Sequence, residues 1–106
     1  MKRKSEHEIQ NEIRTAANPY AVLFRINVGS GTTADGNYLS TGVPKGFPDL
    51  FGFRRNDGKA VFIEVKTPKG KPTAKQKKFL ETVRKYGAIA GIARSAEEAI
   101  RIILEV

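Results

Sequence analysis

Cysteine is absent from this 106-residue chain, so neither a disulfide framework nor a thiolate zinc site can form. Histidine occurs once, at His7, which excludes a metal centre built from clustered imidazoles. Any metal must therefore sit on oxygen ligands, which favours magnesium, manganese or calcium. No apolar run approaches the ~20 residues that a membrane-spanning helix needs. Met1-Lys2-Arg3-Lys4 is basic, but Ser5-Glu6-His7-Glu8 follows it, and the apolar core of a signal peptide is missing. The expectation is a protein with no membrane contact that stays in the cytoplasm of its cell or host.

Acidic residues are in short supply, 11 against 19 lysines and arginines, which leaves a net charge of +8. On so small a chain that balance favours a polyanionic partner, most simply nucleic acid. Hydrophobic residues make up 40% and charged residues 28%, so the chain should fold rather than stay disordered. Its length allows one core and not two, so residues 1–106 are read as a single domain.

Ser5 and Glu8 fit a capping box, and Ile9, Ile13, Ala16 and Ala17 follow at helical spacing, which predicts a helix over 6–17. Asn18-Pro19 stops it. Leu23, Phe24, Ile26 and Val28 predict a strand over 21–28. From Gly29 to Lys45 the chain is rich in Gly, Ser, Thr, Asn and Asp and reads as one long loop. Asp49–Arg54 and Ala60–Thr67 read as two strands joined at Asn56-Asp57-Gly58, a hairpin turn signal. A second capping box, Thr73 to Gln76, opens a helix through Phe79, Leu80, Val83 and Tyr86, closed by Gly87. Ala88–Ala93 is a fourth strand, and a third capping box, Ser95 to Glu98, starts a last helix. The order is αβββαβα. The third and fourth strands should be parallel across their helical crossover, so the fold class is α/β, a mixed central sheet flanked by helices.

Within this pattern one stretch carries charge where strands seldom do. In Val61-Phe62-Ile63-Glu64-Val65-Lys66, alternation sends Val61, Ile63 and Val65 to one face and Phe62, Glu64 and Lys66 to the other. Charged groups on a central strand pair with one another or bind something. In the antiparallel hairpin the start of the second strand, Asp49, lies beside the end of the third. Asp49, Glu64 and Lys66 are then neighbours, and the main-chain carbonyl of Val65 faces the same corner. Carboxylates are hard ligands for Mg2+ or Mn2+, and a lysine beside them can position water and offset charge on a phosphate. That set suits metal-dependent hydrolysis of a phosphodiester.

Taken singly, each residue has a plain structural reading. Pro48-Asp49 could only begin a strand, and Glu64 and Lys66 could be a solvated pair. In order and at these spacings they resemble the PD-(D/E)XK nuclease superfamily, and most closely its VRR-NUC family. The pieces are the Glu-rich helix from Glu6 to Gln10, Arg25-Ile26-Asn27, Gly46-Phe47-Pro48-Asp49, Glu64-Val65-Lys66 and Gln76. The resemblance implies a restriction-endonuclease-like core. It further implies a divalent-metal-dependent DNA nuclease with Asp49 and Glu64 holding the metal and Lys66 assisting the attacking water. Stand-alone relatives, viral or bacterial, imply a homodimer acting on branched DNA such as four-way junctions. They also point to the cytoplasm of a bacterial or phage-infected cell. Two symmetric cuts call for two sites, which agrees with a dimer.

At about 100° per residue Glu6 falls on the buried stripe of its helix, near Ile13 and Ala17, whereas Glu8 falls opposite and already serves the cap. Glu6 is therefore the candidate for a metal-site or water-mediated role. Gln76 has a full explanation in its cap, yet the resemblance also brings it to the active site. Lys69, Lys71, Lys75, Lys77 and Lys78 cluster after the motif as candidate phosphate contacts, with Arg25 and Asn27, and with Arg54 and Arg55 as additions. Within the loop, Ser30, Thr32 and Thr33 could hold a backbone close to a phosphate or form only a connector, and Tyr38 could stack on an unpaired base or pack the loop down. The alternative to a nuclease is a non-catalytic basic nucleic-acid-binding module on the same fold.

Overall fold

The computed structural model describes residues 3–27, 30–32, 34–40 and 42–106. Helix α1, Glu6–Ala17, begins where the Ser5 hydroxyl accepts from the Glu8 amide and the Glu8 carboxylate accepts from the Ser5 amide. It buries Ile9, Gln10, Ile13 and Ala17. Strand β1 is Ala21–Arg25, β4 is Leu50–Arg54, β5 is Ala60–Val65, α2 is Ala74–Lys85, β6 is Ile89–Ala93 and α3 is Ala96–Leu104.

Two short strands, β2 (Ser30–Thr32) and β3 (Tyr38–Ser40), form a separate antiparallel pair inside what the sequence presents as one loop. At three residues each, Ser30-Gly31-Thr32 and Tyr38-Leu39-Ser40 are too short to show an alternation of apolar side chains, so nothing in the pattern marks them as strands. Strand β1 is shorter than expected. Ile26 and Asn27 lie beyond it, and Val28, its expected end, falls outside the described residues, as do Gly29 and Thr33. The phosphate-contact reading of Thr33 and of the side chains of Ser30 and Thr32, and the stacking reading of the Tyr38 side chain, likewise fall outside what is described. Strand β5 stops at Val65, before the expected Thr67.

The main sheet has the order β1-β4-β5-β6, with β1, β4 and β5 antiparallel and β5 parallel to β6 across α2. A parallel pair needs such a crossover, and α2 supplies it. On one face Leu23, Leu50, Val61, Ile63, Val65, Ile89 and Ala93 pack with Ile9, Ile13 and Ala17 of α1 and Ala99 and Ile103 of α3.

The other face carries aromatics. Phe51 and Phe62 face each other across β4 and β5 with ring centroids 4.7 Å apart, and Phe47 and Phe79 close over them. Phe79 belongs to α2, so this cluster clamps that helix onto the face from which Glu64 projects. Toward β1 the same face is open, and Phe24 and Phe53 are exposed there.

Candidate active site

The strand ladder delivers the first contact. Leu50 is registered against Ile63, so Asp49, one residue earlier, stands opposite Glu64. The Asp49 carboxylate accepts a hydrogen bond from the Val65 amide (Oδ2, 2.9 Å), and its carbonyl accepts from the Ile26 amide at 2.8 Å. Three chain segments thereby fix the acid: the end of β1, the start of β4 and the end of β5. Val65 joins the site through this amide, which donates and so cannot ligate a cation. Ligation by Val65 would have to come from its carbonyl.

Glu64 is 1% exposed although it carries a carboxylate. Its Oε1 accepts from Gln76 Nε2 at 3.3 Å and lies 3.9 Å from Lys66 Nζ, while its Oε2 is buried and has no hydrogen-bond donor. Burial pushes the Glu64 carboxyl up to about 9, with the adjoining Asp49 carboxyl as the next cause and Glu6 a smaller one; the Lys66 ammonium opposes them. Two acids held this close cannot both ionise cheaply without a positive charge between them. The orphaned Oε2 marks where an additional electrophile or donor fits. Without a cation the Glu64 carboxyl keeps its proton at neutral pH, and two carboxyl groups with one unpartnered oxygen are donors of the kind that fit a hard divalent cation.

Gln76 closes the cap of α2 and also reaches Glu64. Its Oε1 accepts from the Thr73 amide at 2.8 Å and its backbone amide donates to the Thr73 hydroxyl at 3.1 Å, which closes the cap. The same side chain turns its Nε2 to Glu64. The N-terminus of α2 therefore meets the acids, and Gln76 is the hinge between cap and site. Gly46 holds the other wall in place. Its φ of +95° is disfavoured for any residue with a side chain, and an added Cβ would come within 3.1 Å of the Lys75 backbone.

Glu6 is half-buried at the start of α1 and near enough to Glu64 to raise its proton affinity. Among the described residues, however, no three acids or histidines come close enough to share one metal ion, so Glu6 stands outside the inner pair. Glu8 is exposed and serves the cap, as its helical position implied.

The cationic residues divide by place. A cleft of about 530 Å³ is lined by Lys45, Gly46, Phe47, Asp49, Thr73, Ala74, Lys75 and Gln76, which puts Lys75 beside the acids. Lys45 shares that cleft and was not singled out from the sequence. Its adjacency to Gly46-Phe47-Pro48-Asp49 was the available signal. Lys69 instead lines a cleft with Arg3, Lys4 and Arg94 between the start of α1 and the start of α3. Lys71, Lys77 and Lys78 are exposed, as are Arg25 at the end of β1 and Asn27 just past it.

Arg54 and Arg55 do not join this set. They lie at the turn end of the β4–β5 hairpin, remote from Asp49. Arg54 binds Asp57, Glu105 and the Ile103 carbonyl, and Arg55 binds the carbonyl and side chain of Asn18. Both fasten the fold at that end. Gln10 was passed over as well: it is a polar residue inside the core face of α1, with its Oε1 buried and unpartnered. A third cleft, about 560 Å³ beside β1 and lined by Arg14, Val22 and Phe24, contains none of the acids.

An αβββαβα core with an acid at the start of one strand and a Glu-x-Lys on the next defines the class of restriction-endonuclease-like proteins. Within that class the match is specific: the VRR-NUC domain model aligns with residues 6–97, and the chain belongs to this nuclease family. A solved structure described as a VRR-NUC domain superposes with a TM-score of 0.63 at 22% identity, covering 93% of this chain and 94% of that one. At that identity the likeness establishes the fold. No curated protein matches the chain.

Proposed function

We propose that this chain is a divalent-metal-dependent DNA endonuclease that hydrolyses phosphodiester bonds, selective for branched DNA such as four-way (Holliday) junctions and active as a homodimer. The observation that carries the reading is the facing pair of acids, Asp49 half-buried and Glu64 fully buried. The free Glu64 Oε2 adjoins them, with Lys66 3.9 Å from Oε1. A non-catalytic binding module would gain nothing from a buried carboxylate facing a second acid, since both repel phosphate.

Asp49 and Glu64 would hold Mg2+ or Mn2+, with the Val65 carbonyl as a further ligand. Such an ion lowers the pKa of a bound water and neutralises charge on the phosphate. The chain's own groups do the rest. Gln76 donates to Glu64 and keeps that carboxylate turned to the site. Lys66 directs the attacking water and offsets the charge that grows on the phosphate as the new P–O bond forms and the bond to the leaving sugar oxygen breaks. Glu6 acts through water at the edge of the pair. Lys45, Lys75 and Arg25 neutralise neighbouring phosphates of the strand, and Asn27, Lys69, Lys71 and Lys78 extend that contact. A second copy would supply the second cut, and the exposed Phe24 and Phe53 offer an apolar surface for it. The proposed setting is the cytoplasm of a bacterial or phage-infected cell. Among the described residues no helix is long and apolar enough to cross a membrane.

The test is cleavage of a labelled four-way junction beside linear duplex and single strand, in magnesium, manganese or EDTA. Cutting of the junction that needs the metal and disappears in Asp49→Ala is the expected result. Equal cutting of all substrates would retain the site and remove the branch selectivity. Tight binding without cutting in either metal would replace the nuclease by the binding module.

A further inference from the structure

Lys66 is the least restrained member of the site by its own chemistry. A lysine stem has four rotatable carbons, and ordering it costs about 1.5–2 kcal/mol in lost rotamer freedom. Yet its side chain is only 13% exposed and its ammonium is held 3.9 Å from Glu64. Something outside the acid pair must hold it.

The surrounding contacts identify what does. After β5 the chain makes a tight turn, with the Gly70 amide donating to the Thr67 carbonyl at 3.0 Å. A Cβ added to Gly70 would lie 3.4 Å from Lys66 Cδ and 3.2 Å from Thr67 Oγ1, so the lysine stem runs directly over the bare Gly70 backbone. The turn is thus the floor of the lysine's channel. Arg94 fastens that floor: its Nη1 donates to the Thr67 carbonyl and to the Gly70 carbonyl, each at 2.6 Å.

Arg94 is itself fixed from two sides. The preceding residue, Ala93, accepts from the Lys66 amide at 3.1 Å, which continues the parallel pairing of β5 and β6. The Arg94 amide donates to Glu98 Oε1 at 2.8 Å. That bond also corrects an expectation. The cap of α3 is half a capping box, because the Ser95 hydroxyl accepts from the Glu98 amide while the Glu98 carboxylate serves Arg94 in place of Ser95.

We infer that Arg94 is a positioning residue for Lys66: it locks the Thr67–Gly70 turn, and the turn holds the lysine stem so that its ammonium stays beside Glu64. Charge-assisted bonds from one nitrogen to two carbonyls give that lock more strength than a neutral donor would. The inference rests on the nuclease reading of the site, and its test separates the two.

Arg94→Met keeps an unbranched apolar stem, shorter than arginine's, and removes the donors. Turnover on the junction should fall on the order of tenfold to a hundredfold, the cost typical of misplacing a reacting group by about 1 Å. Mn2+ affinity by calorimetry and DNA affinity should stay near wild type, because Asp49 and Glu64 are untouched. Arg94→Lys should recover part of the loss, since an ammonium can also donate to both carbonyls. The decisive arm is a double-mutant cycle. In a Lys66→Ala background, Arg94→Met should cost nothing more. Additive losses, or a loss matched by an equal fall in Mn2+ affinity, would overturn the inference.

Should Arg94→Met fail to fold, Gly70→Ala sets a methyl tight against Thr67 Oγ1 and in contact with the lysine stem, and is put through the same cycle. If Lys66→Ala cuts as fast as wild type, the role given to Lys66 in catalysis fails. The clamp is then read by NMR alone: separated Hε resonances of Lys66 in the wild type that merge in Arg94→Met support it, and identical spectra refute it.

Discussion

Glu64 concentrates the chemistry of this protein in one side chain. Its carboxyl is held up to about 9, chiefly by burial and then by Asp49, whereas in an unfolded chain it would titrate near 4.5. Between those values the folded protein binds a proton that the unfolded chain has released. Stability of the metal-free protein is therefore full below about pH 4.5 and declines as pH rises toward about 9, with a slope approaching 1.4 kcal/mol per unit from this group. Glu64→Gln should flatten that decline, and urea melts across pH 5 to 9 with EDTA present would measure it. A wild type whose stability does not fall through this window relative to Glu64→Gln would mean that Glu64 is ionised without metal. Mn2+ should reverse the trend, since a cation stabilises the ionised pair, and its binding should release a proton.

At the scale of elements, the helix caps and the two long strands of the hairpin were legible because their signals are local. Ser5, Thr73 and the alternation of Val61 to Val65 each depend on residues within four positions. The β2–β3 pair was not legible, since strands of three residues carry no periodic signal. The junction between the Gly46 turn and α2 is the most exacting contact between elements. Gly46→Ala must adopt φ near +95° and push against Lys75, so it should destabilise the fold by about 1–2 kcal/mol from the backbone alone. Gly46→Ala should also lower junction cutting by displacing Asp49 from Gln76. Thermal melts and cleavage rates measured on the same sample check both, and a variant as stable and as fast as wild type would show that this turn relaxes freely.

Over the whole molecule, a net charge of +8 sets the terms of association with DNA. Phosphate contacts release counterions, so affinity should fall steeply as salt rises. Lys45 and Lys75 line the cleft beside Asp49, and replacing either with alanine should weaken binding evenly across sequences and reduce the salt slope by about 1. Arg55→Ala, at the opposite end of the sheet, should leave the slope unchanged. Titrations of a fluorescent junction at several salt concentrations distinguish the two, and equal slopes for all three variants would move the DNA path away from this cleft.

The sequence by itself determined the class of the fold, the facing of Asp49 toward Glu64 and Lys66, and the oxygen-only character of any metal site. Those follow from composition, from strand alternation and from hairpin connectivity, all of which act over short distances along the chain. Only the tertiary structure decided that Gln76 serves cap and site together, that Lys45 belongs beside Asp49, and that Arg54 and Arg55 belong to the far end. It also decided that Arg94, 28 positions after Lys66 in the chain, holds the turn on which that lysine lies. Each of these depends on how α2, the end of β6 and the β4–β5 turn pack in space. That packing is set by the aromatic cluster and the sheet order, and no periodicity along the chain encodes it.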